Sequence, residues 1–183
     1  MIDEKFQEVM QSGSGCAVIM AGSGSDDKPK GEKPSHIEQI AEGLEKWGIP
    51  YQVRICSAHK QPDTLMEVIN EYNAVGGSVA YVAVAGGTDA LSGTLSFHAL
   101  GPVISCPPDA PNQSCVTNPP GSSNAYIARP GNVGKFIAQI YAGVNEDIKN
   151  RLVAANAKKI GSLITDDNKI MAKYAERQTG GDE

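Results

Sequence analysis

The sequence predicts an α/β fold, a largely parallel sheet with helices packed on both faces. Three observations predict it. Short runs of apolar residues recur along the chain at lengths that suit buried strands. Stripes of helical period separate them. Polar, glycine-rich segments follow directly on the ends of the runs. About five such runs in roughly 140 residues fit a flavodoxin-like three-layer sandwich with additional helices at the carboxyl end.

Five strands are expected in order: CAVIMA (Cys16 to Ala21), YQVRIC (Tyr51 to Cys56), VAYVAVA (Val79 to Ala85), PVISC (Pro102 to Cys106) and, weakest, AYIA (Ala125 to Ala128). Ser35 and Glu38 have capping-box spacing, so a helix is expected from His36 to about Trp47, with Gly48 as its stop and an inward stripe of Ile37, Ile40, Ala41, Leu44 and Trp47. Leu65, Val68, Ile69 and Tyr72 mark a second helix, and Val133, Phe136, Ile137 and Ile140 a third. DKPKGEKPS, ending at Ser35, reads as an exposed loop. One or two further helices are expected between Glu146 and about Tyr174, and the closing RQTGGDE is expected to fray. The chain therefore divides into an N-terminal extension (1–15), one α/β domain (16–145) and a C-terminal helical extension (146–183).

Composition narrows the function. A chain of 183 residues that is 40% hydrophobic holds one well-buried core. The net charge of −5 repels a polyanion, and 5% aromatic residues offer few stacking platforms, which argues against nucleic-acid binding. The opening MIDEKFQEVMQSGSG is not a basic-then-apolar leader and no stretch stays apolar long enough to span a bilayer, so a cytoplasmic protein is expected. Cys16, Cys56, Cys106 and Cys115 form no C-x-x-C pair and have no histidine at zinc-finger spacing. They read as reduced packing residues rather than metal ligands, Cys115, in a loop, least clearly so.

In parallel sheets ligands bind at the carboxyl ends of the strands. GSGSD, SAHK, GGTDALSG and SCPPD follow the first four runs and would converge on one rim. Gly22 to Asp26 has the character of an anion-binding loop: glycines admit close backbone approach, and Ser23 and Ser25 can donate from their hydroxyls. Its spacing matches neither a P-loop nor a dinucleotide fingerprint. Asp26 can accept from a ribose diol, or simply cap a turn. His59 is the one histidine placed at a strand end, with Ser57 and Lys60 beside it, whereas His36 and His98 fall on expected helices. An imidazole can take up or release a proton near neutrality, which suits proton transfer.

Taken together, GSGSD, SAHK, AVAGGTDALSG and PVISCPP, in this order and spacing, resemble the 5-aminoimidazole ribonucleotide (AIR) carboxylase family of purine biosynthesis. The similarity runs from about Ala17 to Tyr141 and includes NPPGSSNAYIARPGNVGKFIAQIYA, which is similar to the family's closing strand and helix. The family contains mutases, which rearrange N5-carboxyaminoimidazole ribonucleotide, and carboxylases that use CO2 directly. Lys60 stands where mutases have arginine, Ala90 where their GGAAHLPG loop has histidine, and SCPP is carboxylase-like, so the resemblance implies the CO2-using class.

That resemblance implies ATP-independent, reversible carboxylation of AIR to 4-carboxy-AIR with no metal or other cofactor. It implies AIR and CO2 as the small-molecule partners and a homo-octamer as the assembly. It implies His59 as the proton-transferring catalyst and Gly22, Ser23, Ser25, Asp26, Ser57, Lys60, Ala85, Gly86, Gly87, Asp89 and Leu91 as substrate-binding residues. Two departures stand out. Carboxylases typically read AGRSN where this chain has Ala85, Gly86, Gly87, Thr88 and Asp89, so a guanidinium is replaced by glycine and a carboxylate appears. Beside a carboxylated imidazole Asp89 would be repulsive unless protonated, turned away or paired with Lys60. The loop from Asp27 to Pro34 is an insertion where the family's first helix normally begins, which weakens a helix-dipole contribution to phosphate binding. Readings other than the carboxylase are the mutase of the same family and a catalytically silent nucleotide-binding protein.

Overall fold

The computed structural model describes residues 2–29 and 31–179. Its centre is a five-stranded sheet built from β1 (Cys16–Ala21), β2 (Tyr51–Ile55), β3 (Val79–Val84), β4 (Val103–Ser105) and β5 (Ala125–Tyr126). The spatial order is β2-β1-β3-β4-β5 and every neighbouring pair is parallel. Six helices accompany it: α1 (Glu4–Gln11), α2 (His36–Lys46), α3 (Pro62–Val75), α4 (Ala90–His98), α5 (Pro130–Tyr141) and α6 (Glu146–Thr179). The flavodoxin-like α/β architecture is therefore present, with strand ends one residue shorter than expected at β2, β3 and both ends of β4, and β5 two residues shorter at its end.

Alternation along the two central strands sorts the core into two layers. Ala17, Ile19 and Ala21 with Ala80, Val82 and Val84 face α2, α5 and the first turns of α6. Cys16, Val18 and Met20 with Val79, Tyr81 and Ala83 face α1, α3 and α4. Residues on both faces are buried, which is why β1 and β3 read as unbroken apolar runs rather than alternating ones. β2 is an edge strand, and Val53 and Ile55 are exposed along it.

Local chemistry fixes the helices. Ser35 accepts from the Glu38 N–H at 3.0 Å while Glu38 accepts from the Ser35 N–H at 2.6 Å, a complete capping box on α2. Pro62 opens α3 and Pro130 opens α5, where a missing N–H costs nothing.

Three expectations change. The N-terminal extension holds a helix whose Phe6 and Met10, with Ile2 before it, are buried against α3 and the sheet, so one face of this segment joins the core. In α5, Val133, Ile137, Ala138 and Tyr141 point inward, while Phe136 is only partly buried and Ile140 is exposed. The inward face is set by Gly134, which lies so close to α2 that an added Cβ would fall 2.0 Å from the Gly43 carbonyl oxygen. The carboxyl-terminal region is one helix of 34 residues, α6, running through Arg177 to Thr179. The rest of the expected frayed tail, from Gly180, lies outside the described residues. No helix among the described residues is long and apolar enough to cross a membrane.

Candidate active site

The sheet order changes direction between β1 and β3, because β2 lies on one side of β1 and β3 on the other. A crevice opens at such a switch point, outside the carboxyl ends of the strands. Here it is a cavity of about 320 Å³, a size suited to a mononucleotide. Ladder-type hydrogen bonds continue past the strand ends and fix its rim: Gly22 N donates to Val84 O at 2.9 Å, and Cys56 N to Ala21 O at 2.8 Å.

Three strand tips furnish the walls. After β1 the chain forms a 3-10 turn, Gly24–Asp27, in which Ser23 Oγ accepts from Ser25 N at 3.2 Å and from Ser25 Oγ at 2.9 Å. Gly22, Ser23, Ser25 and Asp26 line the cavity from this turn. After β2, Ser57 O accepts from Lys60 N at 3.3 Å and Gln61 N at 2.8 Å, a tight turn that presents Ser57, Ala58, His59 and Lys60. After β3, Ala85, Gly86 and Thr88, with Ala90 and Leu91 from the start of α4, close the third side. His59 and Lys60 are exposed, and the His59 ring makes no hydrogen bond to the other described residues, so its nitrogens are open to a ligand.

Hydroxyls from two turns and a lysine ammonium on one wall make an anion-binding corner. An imidazole on the same wall supplies a proton acceptor, and Asp26 supplies a hydrogen-bond acceptor for neutral hydroxyls. Ala85 and Leu91, both buried, give the third wall an apolar surface. Ser25 and Asp26 also border a second cavity, of about 340 Å³, together with Lys28, Lys33, His36 and Asp109. Among the described residues no three His, Cys, Asp or Glu side chains gather as a metal-binding set. None of the four cysteines lines the crevice, all are free thiols, and burial pushes Cys16, Cys56, Cys106 and Cys115 up from the usual thiol range.

Of the sequence-predicted residues, His59, Gly22, Ser23, Ser25, Asp26, Ser57, Lys60, Ala85, Gly86 and Leu91 come together around this cavity. Gly87 and Asp89 are not among its lining residues. Asp89 is 6% exposed and is the N-cap of α4: its Oδ1 accepts from Ser92 N at 2.9 Å and its own N–H donates to Ser114 Oγ at 2.9 Å. Asp89 thus spends Oδ1 in the helix cap and forms no wall of the cavity, while its Oδ2 is buried without a hydrogen-bond partner among the described residues. Gly87 is exposed, at φ +67°, a left-handed conformation that favours glycine.

Sequence reasoning missed Ala58, Thr88 and Ala90 in the lining. SCPPD, expected on the same rim, does not line this cavity: Pro108 and Asp109 border the second one, and sequence reasoning missed the hold of this segment on Gly87, where Asp109 Oδ2 accepts from Gly87 N at 2.7 Å and Gly87 O accepts from Asn112 Nδ2 at 2.9 Å with Ser114 Oγ 3.0 Å away. The density of polar residues in DAPNQS was the only available signal, since partners 22 to 27 residues apart leave no periodic trace.

Comparison with known proteins gives a consistent picture. A family profile described as AIR carboxylase matches residues 16–161. A phosphoribosylaminoimidazole carboxylase of Treponema denticola is 32% identical over 159 residues, covering 84% of this chain and 96% of that protein. A protein of the same name from Archaeoglobus fulgidus is 31% identical over 160 residues, 84% of each chain. A human bifunctional phosphoribosylaminoimidazole carboxylase/phosphoribosylaminoimidazole succinocarboxamide synthetase is 32% identical over 92% of this chain, which spans only 40% of that longer protein. The crystal structure of Treponema denticola PurE superposes with a TM-score of 0.76 at 30% identity, over 85% of this chain and 98% of that one.

Proposed function

We propose, from the premise that this chain belongs to the AIR carboxylase family, that it is the CO2-using carboxylase of purine biosynthesis, converting AIR to 4-carboxy-AIR reversibly and without ATP. The observation that carries the reading is the convergence of His59, Lys60 and the serine-bearing turns on one cavity at the strand switch point.

The chemistry follows from the substrate. The 5-amino group of AIR makes ring carbon C4 enamine-like, so its π electrons can attack the carbon of CO2. A C4–C bond forms and one C=O π pair moves onto oxygen, giving a carboxylate. C4 is then tetrahedral and carries both hydrogen and carboxylate. Removal of that proton restores the aromatic ring and releases the product. Neutral His59 accepts the proton, and in the decarboxylating direction the imidazolium returns it to C4.

Ser25, Ser57 and Lys60 hold the phosphate, where charge-assisted hydrogen bonds are strongest. Asp26 accepts from the ribose hydroxyls. Ser23, Ala85 and Gly86 flank the imidazole and the developing carboxylate, and Leu91 with Ala85 walls the space for CO2, which has almost no polar handle and is retained by a small apolar enclosure. Binding both reactants in one geometry removes most of the entropic barrier to their meeting.

The chain is further read as a cytoplasmic homo-octamer. What supports assembly is α6: beyond Asn156 it carries Ile160, Leu163, Ile164, Ile170, Met171 and Tyr174, all exposed in the single chain. An apolar stripe of this length on a lone helix needs a cover.

The test is direct. Purified protein with AIR and bicarbonate, without ATP, should generate the ultraviolet absorbance of the carboxylated imidazole. Turnover of N5-carboxyaminoimidazole ribonucleotide that does not depend on CO2 would assign the mutase instead, and binding without turnover of either would assign a silent nucleotide-binding protein.

A further inference from the structure

We propose that Asp109, Asn112 and Ser114 are positioning residues that clamp the Gly86–Thr88 turn over the CO2 side of the cavity; the inference rests on the reading given above for the site. Gly86 and Thr88 line the cavity, whereas Gly87 between them does not. Two adjacent glycines give this turn more conformational freedom than any other part of the wall, so something outside it must choose its shape.

The segment after β4 does so. Gly87 has one backbone donor and one carbonyl with two lone pairs. The N–H donates to Asp109 Oδ2 at 2.7 Å. The carbonyl accepts from Asn112 Nδ2 at 2.9 Å, and Ser114 Oγ, 3.0 Å away, divides its one proton between this carbonyl and Asn112 Oδ1. Both polar groups of this glycine are thus held by one neighbouring segment. The clamp is itself braced: Asn112 Nδ2 also donates to Asp109 Oδ1 at 3.0 Å, Ser114 Oγ lies 2.6 Å from Asn112 Oδ1, and Cys115 Sγ donates to Asn112 O at 3.1 Å. Asn112 is buried. Ser114 Oγ accepts in turn from Asp89 N at 2.9 Å, which carries the clamp into the cap of α4.

Shape agrees with the hydrogen bonds. A Cβ added to Gly86 would meet all three atoms of the Asp109 carboxylate at 3.3 Å, so the carboxylate packs into the space that a side chain would need. A negatively charged acceptor makes the Gly87 contact stronger than a neutral one. It also commits the Gly87 N–H, which is therefore not a donor to the substrate carboxylate. None of the hydrogen bonds named above reaches the turns after β1 and β2, although Asp109 borders the second cavity together with Ser25 and Asp26, so the hold falls first on the turn after β3.

The experiment uses the full chain with Asp109→Ala, Asp109→Asn and Ser114→Ala. Hydrogen exchange of the peptide spanning residues 86–92 is measured alongside initial rates against AIR and against CO2. Asp109→Ala should exchange the Gly87 amide at least tenfold faster, raise KM for CO2 at least fivefold and lower kcat, while KM for AIR stays within twofold. Asp109→Asn, which keeps one acceptor oxygen, should fall between it and the parent. Ser114→Ala removes a single hydroxyl and serves where Asp109→Ala does not fold. Unchanged exchange overturns the clamp, and equal shifts in both KM values, or none, overturn its role on the CO2 side. If the parent protein fails to carboxylate AIR, the proposed reaction falls, and the exchange comparison still decides for or against the clamp.

Discussion

His36 Nε2 lies 2.9 Å from the carbonyl oxygen of Cys106, so the first residue of α2 is tied to the residue that follows β4. The same nitrogen is 3.5 Å from Cys106 Sγ. His36 is thus a fastener between layers, and His59 is the histidine of the cavity. His59→Asn should lower kcat by about 10²–10⁴, the usual range for a lost general base, with the ribonucleotide Kd changed less than about threefold. His36→Asn should instead cost about 1 kcal/mol of stability and leave turnover nearly intact. Paired kinetics and urea unfolding check both outcomes.

Lys60 and Ser57 belong to the proposed phosphate corner. Lys60→Ala removes a hydrogen bond to a charged group, about 1.5–3 kcal/mol, so KM for AIR should rise roughly ten- to a hundredfold while kcat falls much less. The effect should shrink as ionic strength rises, because an exposed ammonium is screened. Initial-rate series at low and high salt test it.

Gly134→Ala places a methyl 2.0 Å from the Gly43 carbonyl oxygen, a backbone atom that cannot rotate away. The helix-propensity gain of alanine is outweighed, and the variant should lose at least about 1–3 kcal/mol, as overpacked interiors do. A lower urea midpoint at an unchanged slope is the expected signature.

Alkaline stability follows from weak acids that the fold keeps protonated, by burial or by a hydrogen bond to a carboxylate. Burial pushes the Cys16 and Cys106 thiols up to about 12 from an ordinary 9.0. Tyr51, whose hydroxyl donates to Glu45 Oε1 at 2.6 Å, is pushed up to about 12 from 10.0. In each case the native state holds a proton that the unfolded chain releases first. Their contribution is complete below about pH 9 and is lost as pH climbs toward 12. Tm measured across that window should fall progressively, and Cys106→Ala should remove part of the slope.

Deleting residues 157–183 keeps Ile148 and Leu152, the residues of α6 that are buried in the core. The truncated chain should therefore fold with a similar Tm but lose its assembly, read as a drop in mass by light scattering. An unchanged mass would show that the outer half of α6 is not an interface.

Much of this fold can be read from residues because its signals are local. β1 and β3 announce themselves as unbroken apolar runs, and Ser35 with Glu38 marks the start of α2 within one turn. What escapes is contact between distant segments. Ile2, Phe6 and Met10 follow a four-residue spacing, but charged neighbours dominate the composition there and hide α1. Periodicity counts large apolar residues, so it placed Phe136 and Ile140 inward, whereas two glycines decide the approach of α5 to α2. At the site, strand-end glycines and serines are legible by position. The burial of Asp89 in a helix cap and the grip of Asp109 on Gly87 are tertiary facts with no local imprint.

Because the walls of the cavity are drawn from stretches at 22–26, 57–60 and 85–91, no contiguous piece of the chain owns the site. The exposed residues 31–34 lie between the first stretch and the second. A protease nick there would leave β1 and its turn on one fragment and the remaining four strands on the other. Either fragment by itself would be inert, and mixing them would restore turnover only as fast as β1 slots back between β2 and β3. Recovery kinetics of a split protein would therefore time the closing of the sheet.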